Sequence, residues 1–336
     1  MQIAMKPADS KRRRGFVARV LALLLTAAGI AGGAQVADVA AADATAPGDR
    51  ALFWSLSRDG RPAGFLLGTI HSEDPRVLEF SEPFLEDLQD NHYFAMEMVP
   101  DLPTLNRLTE YMSYQDGTTL ESQIGAERYA RLVQALQDYR VPPDWIGRMK
   151  VWAAMMTLSV PPPKSGFFMD FSLSLRASGA GLKVVGLETL DQQLSFLEEM
   201  PREQQLALLD QALDEYGQVK AIHQQMVDNY LAGNLAELVA QSNEQMAALD
   251  RDAREYFMAQ GIDARNRRML DSLLPLLAED KVFVAVGALH LPGDSGLITG
   301  LREAGYDLQP LPLPFSATQG GRQPQKEGED EAADAP

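Results

Sequence analysis

The stretch Gly64–His71, G-F-L-L-G-T-I-H, is an apolar run that ends in Gly-x-x-His, and Lys281–His290, K-V-F-V-A-V-G-A-L-H, repeats the pattern far along the chain. Both read as hydrophobic strands. A strand fixes position, glycine lets the backbone turn sharply at its end, and the histidine then projects from the rim of a sheet. His71 and His290 are remote in sequence, so they meet only if the two strands lie side by side. That pairing decides the expected fold: α/β (α+β), a mixed β-sheet core from both chain ends with large helical insertions.

The neighbouring segments fit such a sheet. Ala51–Ser57 and Gly64–Ile70 form a predicted hairpin around Arg58-Asp59-Gly60-Arg61, whose Asp-Gly pair is a turn signal. An amphipathic helix is expected over Glu79–Asn91 and short strands over Tyr93–Val99, Gly181–Leu187 and Tyr306–Leu311. Helical spacing marks Leu120–Tyr139, Asp144–Leu158, Asp170–Ser178 and nearly all of residues 190–278, with breaks at Pro201, Gly233 and Gly261. Asp294 or Ser295 is the expected cap of a last helix reaching Ala304.

The ends of the chain read differently. Lys11-Arg12-Arg13-Arg14 precede the apolar Val20–Ile30, and Ala42-Asp43-Ala44 offers a cleavage site, so residues 1–42 are expected to be a secretory signal peptide. The alternative is an uncleaved N-terminal anchor, which is the one way the chain is expected to touch a membrane. Arg13-Arg14-Gly15-Phe16-Val17 also resembles a twin-arginine export signal. Residues 316–336 are polar and acidic and are expected to be a disordered tail, which leaves residues 50–315 as the folded unit.

Composition narrows the chemistry. The 336 residues carry 30 Lys+Arg against 47 Asp+Glu and no cysteine. A net charge of −17 argues against a nucleic-acid partner, which demands a basic surface. Without thiols there is no disulfide, Cys-ligated zinc, iron–sulfur cluster or Cys nucleophile, so any metal falls to histidine and carboxylate. Four histidines are available: His71, His92, His223 and His290. His92 reads as a capping or surface residue and His223 as part of a solvated helix face.

Glu97 in A-M-E-M must point to solvent, a partner charge or a metal, because it interrupts an apolar strand. Two imidazoles and a carboxylate make a common open coordination set. Taken singly, each residue has a plainer explanation. A strand-end histidine is commonly a surface or hydrogen-bonded residue, and Glu97 fits the outward position of an edge strand.

Five segments together resemble the TraB/GumN/PrgY family, which is related to Tiki-type metalloproteases and more distantly to the erythromycin esterase and ChaN-like proteins. They are G-T-I-H at Gly68–His71, the Glu97 strand, G-L-E-T at Gly186–Thr189, A-R-N-R-R-M at Ala264–Met269 and V-G-A-L-H-L-P-G at Val286–Gly293. The resemblance implies a site of His71, Glu97 and His290 around a divalent metal ion (zinc, manganese or iron), with Arg265 and Asn266 nearby. Asp170, in F-F-M-D, falls where the family often has Gly-x-Asp, although here the glycine is displaced to Gly166. Glu188 is either a further site carboxylate or a helix N-terminal acid favoured by the dipole.

The expected function is that of an exported, periplasmic metal-dependent hydrolase cleaving a peptide or related amide by metal-activated water. Glu97 would be third ligand or general base, and Arg265 and Asn266 would position substrate or steady an oxyanion. The alternative is a non-catalytic periplasmic binding protein for a metal, a haem-like ligand or a peptide signal. A scaffold role in polysaccharide export rests on family association alone.

Overall fold

The computed structural model describes residues 51–246 and 249–315; the expected signal segment and acidic tail lie outside them. Six strands form one mixed sheet: β1 (Phe53–Arg58), β2 (Arg61–Thr69), β3 (Tyr93–Met96), β4 (Lys183–Gly186), β5 (Val282–Gly287) and β6 (Asp307–Leu311). Their order is β4-β3-β5-β2-β1-β6. The fold is therefore α/β, and strands from the two ends of the described chain are neighbours in it.

β1 and β2 make the expected hairpin. Asp59 and Gly60 both have positive φ (52° and 72°), the backbone that a two-residue turn between right-twisted strands requires. β2 then pairs in parallel with β5, with Gly68 opposite Val286 and Thr69 opposite Gly287. A Cβ on Gly64, at φ 134°, would lie 2.0 Å from the Val282 carbonyl oxygen, so only glycine lets β5 come this close.

β4, β3, β5 and β2 run parallel to one another, while β1 is antiparallel to β2 and β6. The central strands read as unbroken apolar runs because helices cover the sheet. Val282–Ala285 and Phe94–Met96 are almost fully buried, packed with Phe84 and Leu88, Met169 and Leu173, Met269 and Leu273, and Leu297 and Leu301 from four helices. A second hydrophobic core, centred on Trp152, Leu132, Leu208 and Leu209, lies among the helices inserted between β3 and β4 and between β4 and β5. The two insertions thus share one interior.

Several helices depart from the periodicity. The stretch expected over Leu120–Tyr139 is two helices, Leu120–Ile124 and Ala126–Ala135, split by Gly125 at φ 83°. The stretch Asp144–Leu158 likewise divides into Pro143–Ile146 and Val151–Leu158, and Met149 between them bridges to Ser113. Leu102–Tyr111 is a helix with an Asp101 cap that the apolar spacing did not mark. Gly261 does not break the chain but sits inside a π-helical turn, Phe257–Asp263, running straight into the helix Ala264–Glu279. Its missing side chain makes room for the Phe196 ring, 3.1 Å from where a Cβ would stand. Neither Asp294 nor Ser295 caps the last helix. It starts at Leu297 after Gly296, and the Ser295 hydroxyl donates to Asp263 instead. Among the described residues no helix is long and apolar enough to cross a membrane.

Candidate active site

The C-terminal ends of the four parallel strands lie on one edge of the sheet, and each is followed by one of the singled-out residues. His71 comes two residues after β2 and Glu97 directly after β3. Glu188 comes two residues after β4, and His290 ends a 3-10 turn that follows β5. This is the rim at which open α/β sheets gather ligands. The loops are tied together beyond the strands: the Glu188 amide donates to the Glu97 carbonyl at 2.8 Å.

Glu97 is not the outward residue of an edge strand, since β3 is interior and the side chain is buried. Its Oε1 accepts from the Gly287 amide at 2.8 Å and lies 3.8 Å from His290 Nε2. Its Oε2 accepts from Arg265 Nη2 at 2.6 Å and from Gln193 Nε2 at 3.1 Å. A Cβ at position 287 would stand 3.1 Å from Glu97 Oε1, so Gly287 supplies both the donor and the space. Burial alone would raise the Glu97 pKa. The Arg265 charge, His290 and the Gly287 hydrogen bond outweigh it and leave the pKa at about 2.

Arg265, itself buried, bridges the two acids, donating through Nε to Glu188 Oε2 at 2.8 Å. Glu188 is pushed upward by burial, which Arg265 opposes and the Glu97 charge reinforces, so of the two carboxylates Glu97 is the one held firmly ionised. Arg268, half-buried, reaches Glu188 Oε1 at 3.4 Å.

Both strand-end imidazoles are backed from behind. His290 Nδ1 lies 2.6 Å from Asn266 Oδ1; with that oxygen accepting, the proton sits on Nδ1 and Nε2 keeps its lone pair. His71 Nδ1 lies 3.6 Å from Asp170 Oδ2, while Asp170 Oδ1 accepts a hydrogen bond from the Thr69 hydroxyl. The His71 ring stacks on Phe168 with centroids 3.8 Å apart. Neither of its buried nitrogens has a hydrogen-bond partner among the described residues.

His71, Glu97, Arg265 and His290 line one cavity of about 90 Å³. His223 lines it too, half-buried and 3.1 Å from the Ser72 hydroxyl. The solvated face expected for this residue is therefore wrong. It stands four residues after Val219 and four before Val227, both buried, so it belongs to the apolar stripe of its helix. His92, in contrast, is a surface residue paired with Asp280 at 2.9 Å. Gln193 and Ser72 carried no signal that composition or spacing makes visible, and Gly287 was marked by its Gly-x-x-His as a turn residue but not as a donor to Glu97.

Burial and then the Arg265 charge hold His290 at a pKa of about 4; burial and then His71 do the same to His223. Unfolded histidines titrate near 6.5. The unfolded chain therefore binds more protons between these values, and stability is complete above about pH 6.5 and lost as pH falls toward 4. For His290 alone the loss is about 3 kcal/mol, while the Glu97 contribution persists until pH drops below 4.5. Metal-free protein is expected to lose denaturation midpoint steadily from pH 7 to 4.5; a flat profile would contradict neutral buried imidazoles.

The donors on the cavity suit a divalent ion in kind: two imidazoles, one with Nδ1 backed by an acceptor, and an ionised carboxylate oxygen beside that ring. Among the described residues, however, no three such side chains converge into a group that would hold an ion as they stand.

The family model for the TraB/PrgY/gumN family matches residues 52–310. The chain is 23% identical to "Metalloprotease TIKI2" of Xenopus tropicalis over 318 residues, covering 78% of this chain and 60% of the relative. It is 24% identical to "Metalloprotease TIKI1" of Danio rerio over 316 residues, covering 78% and 63%. Identity to "Metalloprotease TIKI homolog" of Nematostella vectensis is 21% over 315 residues, covering 77% and 66%. The chain thus spans about six-tenths of the length of the first two relatives. No solved structure matches.

Proposed function

The chain belongs to the TraB/PrgY/gumN family, and on that premise we propose that it is a metal-dependent hydrolase cleaving a peptide or related amide bond in the rim cavity. The observation that carries this reading is the pair of strand-end histidines on one cavity, each with Nδ1 facing an acceptor. His71, His290 and Glu97 are the residues that would hold the ion, and their side chains would have to draw together around it. When bound, such an ion polarises a carbonyl and makes water nucleophilic at neutral pH.

The remaining side chains have supporting roles. Arg265 is committed to two carboxylates, so it keeps Glu97 charged and Glu188 in place instead of reaching for substrate. With a pKa of about 2, Glu97 is too weak a base to take protons at neutral pH and serves by its charge. Asn266 fixes the orientation and tautomer of His290 and leaves its Nε2 lone pair to the cavity, while Asp170 sets a negative charge 3.6 Å behind the His71 ring. The basic, then apolar N-terminal pattern at Lys11–Ile30 supports action after export, in a periplasm.

Purified protein stripped with chelator and reloaded separately with zinc, manganese or iron is the test, read on a fluorogenic peptide library. Turnover is expected to vanish on stripping and return with at least one ion. Undiminished turnover by protein shown to be metal-free would remove the metal from the reading. Stoichiometric ion uptake with no turnover on any peptide would replace the hydrolase by a binding protein.

A further inference from the structure

One wall of the cavity comes from the helix Leu235–Met246, and four of its residues line it: Leu238, Gln241, Ser242 and Gln245. They stand at i, i+3, i+4 and i+7, one stripe of a helix, where a wall built only for packing would be apolar throughout. Val160, Met226 and Ile262 add carbon to the lining of the same cavity. Gln241 is occupied, accepting from Asn229 at 3.1 Å and donating to the Ile222 carbonyl at 3.4 Å. Gln245 is not: it is 4% exposed, and neither its carboxamide oxygen nor its nitrogen has a hydrogen-bond partner among the described residues. A buried donor and acceptor left unpaired cost stability unless something pairs with them.

We propose that Gln245, with the apolar wall of Val160, Met226, Leu238 and Ile262, forms a recognition subsite for an amide flanked by one compact aliphatic side chain. A primary carboxamide matches a peptide group, offering N–H to its carbonyl and C=O to its N–H. The cavity of about 90 Å³ is smaller than the roughly 150 Å³ that holds a benzene-sized ligand, so it has room for a side chain no larger than leucine and none for an aromatic ring. This rests on the hydrolase reading for its purpose: the same cavity holds the rim histidines, so an amide seated on Gln245 brings its neighbour in the chain toward them. Gln245 is then a specificity residue.

The test is NMR titration of the full chain as purified with N-acetyl-L-leucinamide and N-acetylglycinamide, on the parent and on Gln245→Met. The leucinamide is expected to bind the parent at least about tenfold more tightly than the glycinamide, the gain from burying one aliphatic side chain. Gln245→Met, nearly isosteric, is expected to weaken leucinamide binding about tenfold while raising the melting temperature by roughly 2–4 °C, because it removes an unpaired buried amide. A Gln245 that is merely structural would lower the melting temperature instead. Equal binding of the two probes to the parent, which needs no variant, or unchanged binding by a folded Gln245→Met would overturn the subsite. Peptide turnover without leucinamide binding would remove the subsite and leave the hydrolase standing. Specific binding without turnover on any peptide would do the reverse.

Discussion

Replacing His71 with alanine is expected to lower peptide turnover by at least about 10²-fold, since loss of a residue that holds the ion should cost no less than the roughly 10–100-fold that loss of its outer-shell partner costs. The fold should survive. His71 gives up no hydrogen bond on removal, since both ring nitrogens lack partners among the described residues. What is lost is the stack on Phe168 and a modest buried volume, about 1–2 kcal/mol at most. The measurement is steady-state turnover on the metal-loaded protein alongside its melting curve. A well-folded His71→Ala with full activity would sink the role given to this residue. The same reasoning separates His71 from Asp170: Asp170→Asn keeps the shape behind the ring but removes the charge 3.6 Å from its Nδ1, so a partial loss of rate is the expected result.

Arg265→Leu is expected to be the most destabilising single change in the site, by about 3–5 kcal/mol, because it strands two buried carboxylates without their shared cation. The guanidinium sits 2.6 Å from Glu97 and 2.7 Å from Glu188, and all three side chains are nearly inaccessible. Urea denaturation gives the value directly. Arg265→Lys should recover only part of it, since an ammonium keeps the charge but lacks the fork that meets both acids. Adding Glu188→Gln to Arg265→Leu should restore some stability by deleting one stranded charge. Stability losses in the double variant equal to or greater than those in the single would show that the three residues do not act as a coupled unit.

Much of the sheet was legible because parallel strands buried on both faces leave unbroken apolar runs, as at Lys281–Val286, and because Asp59-Gly60 encodes its turn. Helix boundaries were less so. Gly125 and Met149 interrupt long periodic stretches for tertiary reasons, one by a left-handed backbone and one by bridging to Ser113. Four of the polar residues on the rim follow strand ends, which a sequence marks. The rest of the site was hidden by the nature of its contacts. Gln193 and Gln245 look like ordinary helix residues until the helices are placed, and a backbone donor such as Gly287 has no side chain to announce it. His223 shows the opposite failure: its spacing from Val219 and Val227 was readable, but neighbouring glutamines masked the stripe.

β5 lies between β3 and β2, so the strand made late in synthesis wedges into the middle of the sheet. Until it arrives, the two strands bearing His71 and Glu97 have no common neighbour, and the contacts that must form span most of the chain. Such long-range pairing is slow to nucleate. A chain from which β5 has not yet emerged therefore has neither the continuous parallel sheet nor the cavity on its rim. The order of the strands thus makes the rim cavity one of the last parts of the fold to form.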